Sequence, residues 1–138
     1  MSVIVTDTGF AADDWTGDFI ALGELAADHE GTLSLDVPSD GDVSALKDRV
    51  DAIDMIRVDF PAFSDGRGFT IAGQLRRMGF RGRLRARGHV IADQYAMARR
   101  MGFDEVEISD ELAHRQPEDQ WAFRADWTRF HHQARLRG

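Results

Sequence analysis

The chain has 138 residues, the size of one ordinary domain, and its 43% hydrophobic and 30% charged residues are a globular rather than a disordered balance. Its 24 Asp and Glu against 17 Lys and Arg give a net charge of -7, which disfavours bulk nucleic-acid binding, because duplex affinity comes mostly from neutralised phosphates. The lack of cysteine excludes disulfides, thiolate zinc sites, cysteine-held iron–sulfur clusters and cysteine nucleophiles.

No apolar run reaches the roughly 18 residues that span a bilayer. Met1 to Ala11 has no basic region ahead of an apolar core, so a signal peptide is not expected. The expectation is one cytoplasmic α/β domain over 1–138, without membrane or nucleic-acid partners.

In chain order, Val3–Val5 and Phe19–Leu22 read as two short strands joined by a polar loop, and are expected to pair as an edge hairpin. Leu33 to Val37 alternates apolar and polar residues, as a half-buried strand does. Asp42 can cap a helix from about Val43 to Ala52, with Val43, Leu46 and Val50 on one stripe. Met55 to Phe60 is the next strand, ended by Pro61, and Ser64 to Gly68 is a loop. A helix is predicted from about Thr70 to Met78, stopped by Gly79. Arg83 to Arg87 is a strand, then a helix runs from His89 or Val90 to Met101 and stops at Gly102. Glu105 to Ile108 is the last predicted strand, and a helix from about Glu118 to Ala134 follows Pro117. No internal repeat stands out.

Strand and helix in alternation predict right-handed βαβ units and a parallel sheet of about four strands. Such strands, when covered on both faces, are continuously apolar. These four instead oppose an apolar face to a charged one: Ser34 and Asp36, then Arg57 and Asp59, then Arg83, Arg85 and Arg87, then Glu105 and Glu107. Helices mainly on the apolar face make a curved arc, like half of a (β/α)8 barrel. The charged face is then open to water, neutralised by internal pairs, or closed against a partner. Charge is also uneven along the chain: residues 1–75 carry 15 acidic against 4 basic side chains, and residues 76–138 carry 9 against 13. Six arginines fall in Arg76–Arg87. Acidic neighbours from the first half, or a bound anion, would neutralise them.

The stretch Phe60-Pro61-Ala62-Phe63-Ser64-Asp65-Gly66-Arg67-Gly68-Phe69, with Arg85-Ala86-Arg87-Gly88-His89-Val90, Asp93-Gln94 and Asp13-Asp14-Trp15, resembles family 934 of bacterial domains of unknown function. Ser64 stands for the usual Thr, and His89 stands where Asp is common. The resemblance implies a setting in sulfur assimilation, since members tend to be encoded beside assimilatory sulfite reductase and carry the label oxidoreductase.

Chemistry in such folds sits in the loops at the C-terminal strand ends. The candidate ligand-binding residues are Ser64, Asp65, Gly66, Arg67, Gly68, Arg85, Arg87, Gly88, Asp93 and Gln94, with Asp65 and His89 as candidate acid–base groups. Gly66 and Gly68 permit positive φ or close approach to a ligand. Arg67, Arg87 and His89 could gather around one sulfate- or phosphate-sized anion. The plainer alternative is a helix cap by Asp65 and a pairing of Arg67 with Asp59 or Asp93. Trp121, Phe123, Trp127 and Phe130 form an aromatic stripe suited to a core or a homodimer contact. His114, His131 and His132 lack ligand spacing, so no metal is expected.

With no cysteine, no Gly-x-Gly-x-x-Gly after a strand and no phosphate-binding loop, no cofactor is expected. The functional expectation is a non-catalytic accessory protein of assimilatory sulfite reduction, whose partner is sulfite reductase or an associated redox protein. The alternative is a small enzyme or binding protein for a sulfur or phosphate oxyanion at the Asp65-Gly66-Arg67-Gly68 loop.

Overall fold

Three short strands open the computed structural model, which describes residues 2–122: β1 (Ser2–Thr6), β2 (Gly9–Ala11) and β3 (Phe19–Ala21). Four more follow where alternation predicts them: β4 (Ser34–Val37), β5 (Met55–Phe60), β6 (Arg83–Gly88) and β7 (Glu105–Ser109). They form one sheet in the order β2-β1-β7-β6-β5-β4-β3. Strands β3 to β7 are parallel, so the parallel part has five strands rather than about four. β1 runs antiparallel to both β7 and β2.

The expected edge hairpin is not formed. β1 pairs with β2 and β7, while Phe19–Ala21 lies at the opposite edge of the sheet, parallel to β4. Alternation identifies a strand but carries no information about its partner. Joining the two edges falls to residues 12–18, which cross the polar face as a strap. In a flat sheet the six strand spacings would separate β2 from β3 by about 29 Å. Eight residue steps reach that far only when fully extended. A turn shortens the strap, because the backbone N–H of Trp15 donates to Asp13 Oδ1 at 2.9 Å. The sheet therefore curls around it.

Helix α1 (Arg67–Arg77) joins β5 to β6, and α2 (Tyr95–Met101), preceded by a 3-10 turn at Ala92–Gln94, joins β6 to β7. The helix predicted over Val43–Ala52 is instead two 3-10 turns, Val43–Leu46 and Val50–Ala52, separated at Arg49 with φ -123 and ψ -3. Asp42 caps the first turn as predicted, its Oδ1 accepting from the Ser44 N–H at 3.0 Å. Val43, Leu46 and Val50 are still buried: Val43 and Leu46, three apart, align on the first 3-10 turn, and Val50 opens the second.

Helix α3 (Asp110–Arg115) was not predicted. Ser109 caps it by accepting from the Leu112 N–H, with Asp110 and Glu111 in the first turn. Helix α4 (Glu118–Ala122) begins the predicted last helix, and Trp121 is buried in the core with its ring 6.1 Å from Tyr95. Phe123, Trp127, Phe130, His131 and His132 lie outside the described residues. Among the described residues, no helix is long and apolar enough to cross a membrane.

A repeat is present after all. Arg76-Arg77-Met78-Gly79-Phe80 and Arg99-Arg100-Met101-Gly102-Phe103 are identical. In each, the first arginine donates to the carbonyl of the phenylalanine four residues on, and the glycine has positive φ. The motif closes a helix and turns the chain into the next strand.

Candidate functional site

The register places the charged side chains in rows across the sheet. Asp36, Arg57, Arg85 and Glu105 are successive partners from β4 to β7, and Asp59, Arg87 and Glu107 form the next row. Two arginines side by side would repel. Glu107 relieves this by reaching both, with Oε1 accepting from Arg57 Nη1 at 3.2 Å and Arg85 Nη1 at 2.8 Å. Arg57 also forks onto Asp36 at 2.6 and 2.9 Å and lies over the Phe19 ring.

Arg85 is completely buried. Its Nε donates to Glu105 at 2.6 Å, and its terminal nitrogens donate to Asp13 of the strap at 3.0 and 3.1 Å. Burial works against its charge, but these carboxylates outweigh burial and raise its pKa. Arg83 bridges Glu105 at 2.7 Å and Asp14 of the strap at 2.5 Å. The Trp15 indole donates to Ser34 Oγ at 2.8 Å. Internal pairs thus engage all three arginines, set among the five carboxylates of Asp13, Asp14, Asp36, Glu105 and Glu107, and the strap closes over this part of the face.

The Ser64–Gly68 loop lies between β5 and α1. Asp65 accepts from the Arg67 backbone N–H at 3.1 Å, its Nε at 3.0 Å and its Nη2 at 2.7 Å, and Arg67 Nη2 also donates to Ser39. The Arg67 side chain, followed by its backbone N–H, holds the Asp65 carboxyl far below the ordinary carboxylate range. Asp65 is therefore ionised at any ordinary pH. Arg67 pairs with Asp65 and Ser39 rather than with Asp59 or Asp93. Ser64 is exposed.

Neither loop glycine has positive φ: Gly66 caps α1 at φ -88, and Gly68 is there because a Cβ would collide with the Phe60 ring. Positive φ falls at Gly88 instead, at +114, where a Cβ would stand 2.7 Å from the Phe60 carbonyl oxygen.

Arg87 and Gly88 end β6, and His89 follows. Together with Asp59, Glu107 and Ser109 they line an open cavity of about 500 Å³ at the C-terminal strand ends. A second cavity of about 270 Å³ is lined by Ala21, Val37, Pro38, Asp36, Arg57 and again by Asp59 and Arg87. Arg67 lines neither of these. The His89 ring packs edge-on against Phe63 with centroids 5.0 Å apart, and its Nδ1 lies 3.3 Å from the Phe60 carbonyl oxygen. Gln94 closes its own turn by accepting from the Ile91 N–H at 3.0 Å, and its amide donates to the Phe63 carbonyl at 3.1 Å. Asp93 is exposed.

Two groups escaped the sequence reading. The strap's role was hidden because Asp13 and Asp14 meet their arginines some 70 residues away. Tyr95 is buried with its hydroxyl donating to Asp7 at 2.5 Å, and Arg99 holds the same carboxylate. Burial, followed by Asp7, raises the Tyr95 pKa.

No curated protein and no solved structure matches the chain. The model of one family, described as a bacterial protein of unknown function (DUF934), matches residues 34–135. That span runs from β4 through β7 and takes in the Ser64–Gly68 loop, the strand-end cavity apart from Ser2, and all four arginines of the polar face. The chain belongs to the DUF934 family.

Proposed function

We propose that this chain is a non-catalytic accessory protein of assimilatory sulfite reduction, acting in the cytoplasm by docking on sulfite reductase or an associated redox protein. The observation that carries this reading is the rim beside the strand ends. Phe63 is 39% exposed, one of two exposed large hydrophobic side chains among the described residues. Its ring is fixed against His89 and its carbonyl is held by Gln94. Arg67, four residues further along the chain, is ordered by Asp65. Aromatic and arginine side chains held in place before contact suit a protein interface, because little side-chain freedom is lost on docking. The setting in sulfite reduction rests on the family resemblance.

The test is surface plasmon resonance against purified assimilatory sulfite reductase. Saturable binding that weakens at least about tenfold in Phe63→Ala supports the proposal. Absence of binding, or binding indifferent to Phe63→Ala, overturns it.

The alternative is an oxyanion-binding protein or small enzyme at the Asp65-Gly66-Arg67-Gly68 loop. It draws on the exposed side chain of Arg67 at the start of the 11-residue α1. A saturable thermal shift with sulfite, sulfate or phosphate, lost in Arg67→Ala, would favour it.

A further inference from the structure

The four arginines of the polar face are not equally engaged. Arg57, Arg83 and Arg85 each pair with at least two carboxylates. Arg87 makes one ion pair, from Nε to Glu107 Oε2 at 3.3 Å, and its side chain is half exposed. Its two terminal nitrogens meet no partner among the described residues. Asp59 is its register partner on β5, on the same face. Neighbouring opposite charges at such a position ordinarily pair. Here they do not, and no hydrogen bond or ion pair engages the Asp59 carboxylate among the described residues. Both groups line the cavity of about 500 Å³ and also the cavity of about 270 Å³.

A guanidinium fork with its ends free takes a carboxylate or another oxyanion in bidentate fashion. The carboxylate beside it, with no donor among the described residues, is free to accept from a cationic or N–H group of the same ligand. Glu107 is already held by Arg57, Arg85 and the Nε of Arg87. The groups left without a partner among the described residues are the Arg87 terminal nitrogens and the Asp59 carboxylate, on register partners of adjacent strands. A sulfate or phosphate dianion would satisfy Arg87 only by facing Asp59. An α-amino acid carries its carboxylate and ammonium one carbon apart, which matches the pair in sign. Beyond that pair, the smaller cavity adds Ala21, Val37 and Pro38 to its wall, an apolar lining for a short aliphatic side chain.

We propose that Asp59 and Arg87 form a binding site for a small aliphatic α-amino acid, Arg87 holding its carboxylate and Asp59 its ammonium group. The site adjoins the docking rim through His89, which lines the larger cavity and packs on Phe63, but it uses neither Phe63 nor Arg67 and does not depend on the reductase.

The experiment is a thermal-shift and calorimetric titration of the full chain with L-alanine, L-valine and L-leucine, with isobutylamine and 2-oxoisovalerate as one-charge controls for L-valine. The expected result is saturable binding of at least one of the three amino acids, with neither control binding. Asp59→Asn and Arg87→Gln should each weaken it at least tenfold, and Arg87→Lys, which keeps the charge but loses the fork, should weaken it as well. Unchanged far-ultraviolet circular dichroism in Arg87→Lys separates a lost site from a lost fold. The proposal is overturned if none of the three amino acids binds, if 2-oxoisovalerate binds as well as L-valine, or if Asp59→Asn leaves the affinity unchanged.

Discussion

Asp13 and Arg85 meet across 72 positions of sequence, the aspartate presenting both oxygens to the terminal nitrogens of a guanidinium with no exposed surface. Glu105 and Glu107 complete the enclosure. A buried charge stripped of a partner typically costs about 3–5 kcal/mol. Glu105→Leu removes an acceptor from both Arg85 and Arg83, and is expected to destabilise by that order. Arg85→Met should cost less, because Glu105 keeps Arg83 and Glu107 keeps Arg57 and Arg87. Urea denaturation of the two variants checks the order, and a more stable Glu105→Leu protein would contradict it.

The strap makes stability depend on acid. Partial burial raises the Asp13 pKa, but hydrogen bonds from Arg85 and the Trp15 N–H outweigh it and leave it lowered. The hydrogen bond from Arg83 lowers that of Asp14. A carboxyl whose folded pKa lies below its unfolded value contributes stability above the ordinary value of 3.8, and loses it as pH falls through the lowered value. Urea midpoints measured from neutral pH downward should fall in that window, with a shallower fall in the Asp13→Asn, Asp14→Asn double variant. Equal slopes in the two proteins would refute the assignment.

These pairs explain why part of the fold was legible in the sequence and part was not. Alternation in β4 to β7 is local, so it revealed the strands, the parallel sheet and a charged face. What engages the arginines of that face is non-local: Asp13 reads as one acidic residue among many until the strap crosses the sheet. The position of Phe19–Ala21 at the far edge was hidden for the same reason. The loop Ser64–Gly68 was found correctly, but the partners of Arg67 were not: Ser39 is 28 residues away, while Asp65, only two away, was a local partner passed over as a helix cap. The Ser109 cap of α3 and the repeated Arg-Arg-Met-Gly-Phe were local signals, readable and overlooked.

Gly88 sets the turn that brings His89 to the strand ends. Any side chain there adopts a left-handed conformation and presses on the Phe60 carbonyl oxygen, 2.7 Å from the added carbon. The left-handed conformation alone costs about 1–2 kcal/mol, and the backbone contact adds to it. Gly88→Ala should therefore lose at least about 2 kcal/mol in chemical denaturation. Gly66→Ala is the control: φ is -88 and the nearest atom to its Cβ is 3.9 Å away on Phe69, so its stability should be nearly unchanged.

Tyr95 ties α2 to the loop between β1 and β2, its buried hydroxyl donating to the Asp7 carboxylate. A hydrogen bond to a charged group contributes about 1.5–3 kcal/mol. Tyr95→Phe keeps the ring against Trp121 and removes only that bond, leaving Asp7 with Arg99. A loss at the lower end of that range is expected, read as a reduced urea midpoint, and no loss would mean that the Tyr95 hydroxyl adds nothing to holding the loop.

Arg67 separates a docking role from a structural one. Its side chain is exposed, and an ion pair made by an exposed guanidinium adds little to stability. Arg67→Ala should thus leave the denaturation midpoint almost unmoved. If the rim docks on sulfite reductase, the same substitution removes a cation held ready on the same loop as Phe63, and binding to the reductase should weaken at least about tenfold. Full-strength reductase binding by a stably folded Arg67→Ala protein would remove Arg67 from the interface. Weakened binding in both Arg67→Ala and Phe63→Ala, with folding intact, would place the contact on the loop between β5 and α1.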